Sequence, residues 1–214
     1  GTVENKAQAA GTGNVNIGGF IGHHNQNASK LGTITNCVNG SSTDATKGNL
    51  INSSPSNSEL HMGGFLGFMQ NACSDISGFT NYGSITNTAS IKSWCCIGGV
   101  VGLIKDLTTN TNTISGCNNY GHLETTVATN RVSIGGAVGF IDNSNTSVST
   151  IKHYGNIAIK ADAGSGVSLG GAVGRIQAHK TAGVNSITSC ENEGDITFAG
   201  KCINDASMSS GIGG

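Results

Sequence analysis

The sequence is poor in charge. Only 11% of its 214 residues are Asp, Glu, Lys or Arg, and the formal net charge is -1. Such a chain offers no strong positive field to nucleic acid or to an anionic membrane surface. It also lacks an apolar run long enough to cross a membrane as a helix. We therefore expect no nucleic-acid partner and no membrane span in this segment.

Proline and helical patterning are also scarce. Pro55 is the single proline, and no stretch of about ten residues carries an apolar stripe of helical period. Glycine, with 34 residues, is abundant instead. Glycine mixed with Asn, Thr and Ser is common in disordered chains, but the regularly spaced aliphatic residues argue against disorder. No signal peptide is visible, so we expect either a cytosolic chain or a processed segment.

Two motifs alternate along the chain. The first reads Ile-Gly-Gly-Val-Val-Gly at residues 97–102, and the second reads Ile-x-x-Cys-x-Asn-Tyr-Gly-x-Leu at residues 114–123. Repetition of both in one order indicates stacked repeats that bury a shared core. Copies of the first motif begin near Ile17, Met62, Ile97, Ile134, Leu169 and Ile212.

The motifs predict β-structure. Alternation within residues 97–102 predicts one strand, with large side chains on one face and glycines on the other. Ile114 and Cys117 are three positions apart, so we expect a bend between them. Asn-Tyr-Gly predicts a turn, because Asn and Gly tolerate positive φ.

The fold class that follows is all-β. We predict a parallel β-solenoid of about five coils, each of about 35–45 residues, forming a single domain over residues 1–214. A right-handed coil is expected from the usual hand of parallel crossovers. The pattern leaves open whether each repeat forms one wide coil or two narrow ones. The chain begins and ends within a repeat without polar caps, which predicts either a segment of a longer protein or ends that stack head to tail.

These consecutive motifs resemble the GLUG-type repeats of bacterial surface proteins, especially the Cys-x-Asn-Tyr-Gly forms found in exported proteins of Bacteroidetes. The resemblance extends from Ile17 to Ile196, with His153 in place of Asn and Glu193 in place of Tyr as departures. It implies an extracellular or cell-surface protein with an adhesive or structural role. It brings no catalytic residue, metal or cofactor.

Equivalent positions of stacked coils should form rows about 4.8 Å apart. The Cys position alternates with Phe and Ile, which indicates a buried apolar site. The Asn row is interpreted as a ladder of amide hydrogen bonds, with a glycan-binding row as the alternative. The Tyr row is the candidate binding surface, with packing over a corner as the alternative. The rows comprise Cys37, Cys117 and Cys190; Asn39, Asn81, Asn119 and Asn192; and Tyr82, Tyr120 and Tyr154.

The remaining cysteines are not assigned a role by the repeat. Because Cys95 and Cys96 are adjacent in a strand, we expect one to face inward and one outward. A disulfide from Cys73 to one of them is an alternative, and the disulfide state of Cys202 stays open. The seven cysteines do not match any zinc-ligand spacing.

Two clusters of polar residues are candidates for a functional site. Glu191, Glu193 and Asp195 alternate, so they can share one face; we interpret them as a solvated edge, with a glycosidase-like pair or a weak cation site as alternatives. His23 and His24 replace an apolar pair of later copies. We interpret them as the polar end of a terminal coil, with metal binding as the alternative.

The expected function is non-enzymatic. We expect an extracellular repeat module that serves as an adhesin or a structural stalk, with glycans or host or bacterial surface proteins as candidate partners. One alternative is a filament subunit that self-associates head to tail. Another is a β-helix enzyme that degrades polysaccharides, which would need converging acids and bases that so few charges disfavour.

Overall fold

The computed structural model describes residues 1–7, 12–25, 30–71, 73–105, 111–177, 184–203 and 211–214, with residues 30, 31, 73 and 74 described by their backbone only. All of the regular structure assigned in these residues is β-strand, and the strands pair in parallel across five sheets. The predicted parallel β-solenoid is confirmed.

Each coil contributes one strand to every sheet before the chain returns to the first. Sheets 1 and 2 contain six strands, and sheets 3, 4 and 5 contain five. Each repeat therefore forms one wide coil, and the number of stacked strands is close to the predicted five coils. The hand of the coil stays a prediction.

The first three sheets run in chain order around the coil. Sheet 1 contains β1 Val3–Asn5, β6 Leu50–Asn52, β11 Ile85–Asn87, β16 Leu123–Thr125, β21 Ile157–Ile159 and β26 Ile196–Phe198. Sheet 2 contains β2 Val15–Gly18, β7 Leu60–Gly63, β12 Ile91–Gly98, β17 Thr129–Gly135, β22 Ala163–Gly170 and β27 Gly211–Gly213. Sheet 3 contains β3 Ile21–Asn25, β8 Leu66–Gln70, β13 Val101–Lys105, β18 Val138–Asp142 and β23 Val173–Gln177.

The last two sheets complete each coil. Sheet 4 contains β4 Lys30–Thr35, β9 Cys73–Ser77, β14 Thr111–Ser115, β19 Asn145–Ser149 and β24 Ser186–Thr188. Sheet 5 contains β5 Val38–Asn39, β10 Thr80–Asn81, β15 Asn118–Asn119, β20 Lys152–His153 and β25 Glu191–Asn192.

The Gly-Gly motif forms a corner between two sheets, so its prediction as one strand is wrong. β12 ends at Gly98, the chain bends at Gly99 and Val100, and β13 begins at Val101. A Cβ on Gly99 would lie only 2.5 Å from Cγ of Asn119 and would collide with the carbonyl oxygen of Gly136. Close backbone packing at the corner, not strand pairing alone, is what requires glycine.

This corner divides the interior into two apolar clusters. Sheets 1 and 2 enclose the cluster around Leu60 and Ile97, while sheets 3, 4 and 5 enclose the cluster around Ile104 and Phe79. Between them, Gly64 and its counterparts in other coils touch the Asn row of sheet 5. Each coil therefore has two lobes joined at a waist of glycine and asparagine.

The predicted bend between Ile114 and Cys117 is present, and both side chains are fully buried. It depends on positive φ at the residue before the Cys position. That residue differs between coils, although its φ stays between 53° and 63°: Asn36, Gly78, Gly116, Thr150 and Ser189.

The reason given for the turn at Asn-Tyr-Gly is wrong. The chain does bend after Asn81, at Gly83, but neither residue has positive φ. Gly83 is needed because a Cβ there would collide with the carbonyl of Gly48 in the preceding coil. Stacking distance, not backbone handedness, selects this glycine.

Candidate functional site

The Asn row of sheet 5 forms a ladder of side-chain hydrogen bonds at the waist. Asn39 Nδ2 donates to Asn81 Oδ1 at 2.8 Å, and Asn81 Nδ2 donates to Asn119 Oδ1 at 2.7 Å. Asn81 and Asn119 also donate to the carbonyl of the glycine two residues ahead, Gly83 at 2.8 Å and Gly121 at 3.0 Å. The amides are buried and satisfied within the interior, so they do not form a ligand-binding row.

His153 interrupts this ladder. Asn119 Nδ2 lies 2.9 Å from His153 Nδ1, so the amide donates and the ring nitrogen accepts. Among the residues that the structure describes, none offers a hydrogen-bond partner to His153 Nε2 or to Oδ1 of Asn192 in the next coil. Burial lowers the pKa of His153 to about 4, so the ring is neutral near neutral pH.

A second ladder in sheet 1 was missed by the sequence analysis. Asn5 Nδ2 donates to Asn52 Oδ1 at 2.9 Å, Asn52 Nδ2 donates to Asn87 Oδ1 at 2.9 Å, and Asn87 Nδ2 donates to the hydroxyl of Thr125 at 3.0 Å. These residues are the third in each sheet 1 strand, and Ile159 takes that position in the next coil. Sequence reasoning missed this row because its residues are of different types, namely Asn, Thr and Ile. Their spacing after each Asn-x-Gly turn could have revealed it.

The three tyrosines form a continuous stack on the outside of sheet 5. Tyr82 and Tyr120 have ring centroids 4.9 Å apart at 14°, and Tyr120 and Tyr154 are 4.5 Å apart at 5°. Tyr120 is 41% exposed, and partial desolvation together with nearby Tyr154 raises its pKa. The row therefore presents ring edges and hydroxyl groups to solvent, while its ring faces are occupied by one another.

The Cys row packs in the lobe enclosed by sheets 3, 4 and 5. Cys117 is fully buried and burial raises its pKa to about 11, whereas Cys37 and Cys190 are half-buried in the outermost coils. Each thiol donates to the carbonyl two residues earlier, at 3.3 Å for Cys117. Buried Cys117 acts as a small apolar side chain, because a protonated buried thiol is a poor nucleophile and metal ligand.

The adjacent pair Cys95 and Cys96 points in opposite directions, as expected. Cys95 belongs to the interior cluster, and Cys96 belongs to a separate cluster outside the coil. Both are free thiols, so neither is joined to Cys73, whose side chain lies outside the described residues. Burial raises the pKa of Cys95 to about 12.

The acidic residues of the last complete coil do not converge. Glu191, Glu193 and Asp195 are all exposed, and Glu191 pairs with Lys152 at 3.0 Å. His23 stacks on Phe68 with ring centroids 4.8 Å apart, and His24 occupies an interior row with Met69. Within the described parts of the chain, no three His, Cys, Asp or Glu side chains are grouped as a metal site.

The outer faces of sheets 2 and 3 enclose a cleft that sequence analysis did not find. The corner glycines fold sheet 3 back against sheet 2, so that the Ser133 hydroxyl donates to the carbonyl of Gly139 at 2.6 Å. The cleft floor is the apolar cluster that contains Phe68, Cys96, Leu103 and Phe140. Its mouth encloses a cavity of about 350 Å³ that reaches Trp94, Arg131 and Arg175.

Both arginines of the cleft lie over aromatic rings. Arg131 Cζ is 5.3 Å from the ring centroid of Trp94, and Arg175 Cζ is 5.1 Å from the same ring and 5.5 Å from that of Phe140. Cation–π contact explains how two guanidinium groups are held close to a largely apolar floor. The signal was hidden because Trp94 aligns with Arg131, and Phe140 with Arg175, at strand positions that do not keep one residue type from coil to coil.

The carboxylates of the cleft have other partners. Asp142 pairs with Lys105 at 3.1 Å, and Glu59 Oε2 lies 3.2 Å from Nε2 of buried His61. The contact with His61 lowers the pKa of Glu59, while burial lowers the pKa of His61. Among the described residues, neither Arg131 nor Arg175 has a carboxylate within ion-pair distance.

In comparisons with known proteins, no family model, curated protein or solved structure matches the chain. The GLUG resemblance therefore stays a prediction. Over the described residues, no helix is long and apolar enough to cross a membrane.

Proposed function

We propose that this protein is a non-enzymatic, extracellular repeat module that presents ordered rows of side chains for adhesion, with glycans as the ligand class. The stacked tyrosine row on sheet 5 carries the proposal. Three rings are held at 4.5–4.9 Å spacing with Tyr120 exposed. A repeated ligand meets a repeated row, so weak contacts add along the solenoid.

The interior supports the same role. The amide ladders and glycine corners fix each coil against the next, which holds the outer rows in register. Binding groups that are already ordered lose little conformational freedom when a ligand arrives. The repeat chemistry resembling bacterial surface proteins favours an exported location.

A glycan array with purified protein tests this role. We expect binding to at least one polymer, and Tyr120→Ala should weaken it roughly tenfold or more through loss of the central ring. Thr80→Ala, an outward residue on the same sheet, is the matched control and should bind as the original protein does. Absence of binding to every immobilised polymer, with the fold retained, would count against adhesion and leave a spacer.

Head-to-tail self-association is the second candidate. The two end faces of the described stack carry exposed apolar side chains that include Phe20 at 52% and Ile212 at 58%. Sheet edges at each face also have unpaired backbone groups that favour strand addition. Sedimentation over a wide concentration range tests it: growth into longer species supports a filament subunit, and a strict monomer rejects it.

A further inference from the structure

The cleft between sheets 2 and 3 carries an unbalanced positive charge. Asp142 forms an ion pair with Lys105 at 3.1 Å, and Glu59 lies 3.2 Å from Nε2 of His61. Two guanidinium groups remain, from Arg131 and Arg175, with no carboxylate partner among the residues that the structure describes. Because burial lowers the pKa of His61, this ring does not cancel the charge of Glu59, and the three cations Lys105, Arg131 and Arg175 exceed the two carboxylates by one.

Each of the two guanidinium groups has defined neighbours in the cleft. Arg131 Nε donates to the Ser165 hydroxyl at 3.1 Å, and this hydroxyl donates in turn to Asn130 Oδ1 at 2.9 Å. Arg175 Nε is buried beside Trp94 and Phe140, and within the described ranges of the chain it has no hydrogen-bond partner. A cation that contacts a ring through its face keeps N–H groups at its edge, which can still donate to an anion.

The other polar groups at the mouth narrow the ligand class. Carboxylate oxygens of Glu59 and Asp142, together with Asn143 and Gln177, line the same cavity. They accept hydrogen bonds from hydroxyl groups but repel a ligand dense in negative charge. A ligand with spaced carboxylates and many hydroxyls satisfies both sets of groups.

We propose that this cleft binds a uronic-acid unit of an acidic polysaccharide, with its carboxylate held by Arg131 and Arg175. Planar guanidinium groups pair with carboxylates through two parallel hydrogen bonds, which gives this recognition its geometry. The choice of a glycan as the ligand rests on the proposed function. The location of the site does not rest on it, because the cleft and the tyrosine row lie on different sheets.

Trp94 makes the test specific, because it is the single tryptophan of the chain and lies under both arginines. Titration with trigalacturonate at low salt should change Trp94 fluorescence saturably, and added salt should weaken the response. The neutral trisaccharide galactotriose should give no change. A response to trigalacturonate that is absent, or equal to that of the neutral sugar, overturns the proposal.

Variants separate the cleft from nonspecific charge. Arg131→Gln and Arg175→Gln should each weaken trigalacturonate binding roughly tenfold or more, as expected for a lost charged hydrogen bond. Lys92→Gln removes an exposed positive charge from the same strand as Trp94 and should leave affinity unchanged. Equal weakening by all three variants would assign binding to general electrostatics and reject the cleft. Thermal unfolding of each variant checks that the fold is kept.

Two further probes test the ligand class. Triglutamate and inorganic sulfate should bind at least tenfold more weakly than trigalacturonate, because they lack the hydroxyl groups that Glu59 and Asp142 accept from. If either binds as well as the sugar, the uronate assignment is wrong. Failure of Tyr120→Ala to affect glycan-array binding would reject the tyrosine row alone, because the Trp94 signal reports only the cleft.

Discussion

Asn81 Nδ2 donates a hydrogen bond of 2.7 Å to Oδ1 of Asn119, the residue at the same position one coil further along the stack. Both groups are buried at the waist that separates the two lobes of the coil. A buried amide in this position joins neighbouring coils and also fixes the glycine turn that follows it. The row holds the coils in register in a way that an apolar side chain cannot.

Replacing Asn119 by Ala should therefore be costly. It removes the acceptor of Asn81 and leaves the carbonyl of Gly121 without its 3.0 Å donor. We expect the free energy of unfolding to fall by about 2–4 kcal/mol, from unpaired polar groups and the small cavity. Urea denaturation measures this. Asn118→Ala, the outward neighbour in the same strand, should change stability by less than about 0.5 kcal/mol.

His153→Asn should stabilise the protein. The new amide can accept from Asn119 and donate to Asn192 Oδ1, so that the ladder becomes continuous and no ring nitrogen is orphaned. We expect a gain of about 1–2 kcal/mol near neutral pH. Thermal and urea unfolding measure the gain; a loss of stability would show that the ring's packing outweighs the repaired ladder.

The same variant should flatten the pH dependence of stability. Folded His153 has a pKa of about 4, while an unfolded His titrates near 6.5, so the unfolded chain binds more protons between these values. This titration leaves the free energy of unfolding unchanged above about pH 6.5, and lowers it by up to roughly 3 kcal/mol as pH drops towards 4. Subtracting the urea-derived profile of His153→Asn from that of the original protein should isolate this loss. Parallel profiles would contradict it.

At the bend before the Cys position, Asn should cost less stability than a β-branched residue, although Thr150 occupies this position in one coil. Gly116 has φ of 59°, and a Cβ there would meet only the backbone nitrogen of Gly78 at 3.8 Å, so conformation and not space decides the outcome. Gly116→Val should destabilise by about 1–2 kcal/mol, and Gly116→Asn by less. Denaturant unfolding of the two variants compares them directly. Equal losses would mean that positive φ is not the constraint.

Gly99→Ala should be far more damaging than its small size suggests. Its Cβ would collide with the carbonyl of Gly136 and press on Asn119, and backbone atoms cannot move aside without separating the coils. We expect a loss of about 3 kcal/mol or more, seen as a large fall in melting temperature. Gly213→Ala, in a described end strand with no atom within 4 Å, serves as the matched control.

The solenoid could be predicted from the sequence because its period is repeated in the residues themselves. The Cys position and the bend after Ile114 followed from apolar residues at fixed spacing, since burial selects residue type. The corner at Gly99 was predicted as part of one strand, because the period-two alternation of large residues and glycines continues on both sides of it. The residue before the Cys position could not be predicted either, since Asn36, Gly116 and Thr150 share a conformation but not a chemical type.

The cleft escaped sequence analysis for a different reason. Trp94 and Arg131 are direct partners in adjacent strands of sheet 2, whereas Arg175 lies one coil further along on sheet 3. The repeat spacing therefore pairs Trp94 with Arg131, but it does not show that the outer faces of sheets 2 and 3 meet. Repeat analysis emphasises what coils share, whereas a binding site is made where they differ.

The wide coil has a geometric consequence for what this architecture can do. Successive starts of the Gly-Gly motif are separated by tens of residues, whereas each coil raises the stack by only about 4.8 Å. Each added coil therefore lengthens the stack only a little, while it adds a large amount of lateral surface. A protein that needed only to hold something far from a surface would be better served by a thin helix. This fold is suited instead to a broad lateral face, on which a long polymer can lie across several coils at once.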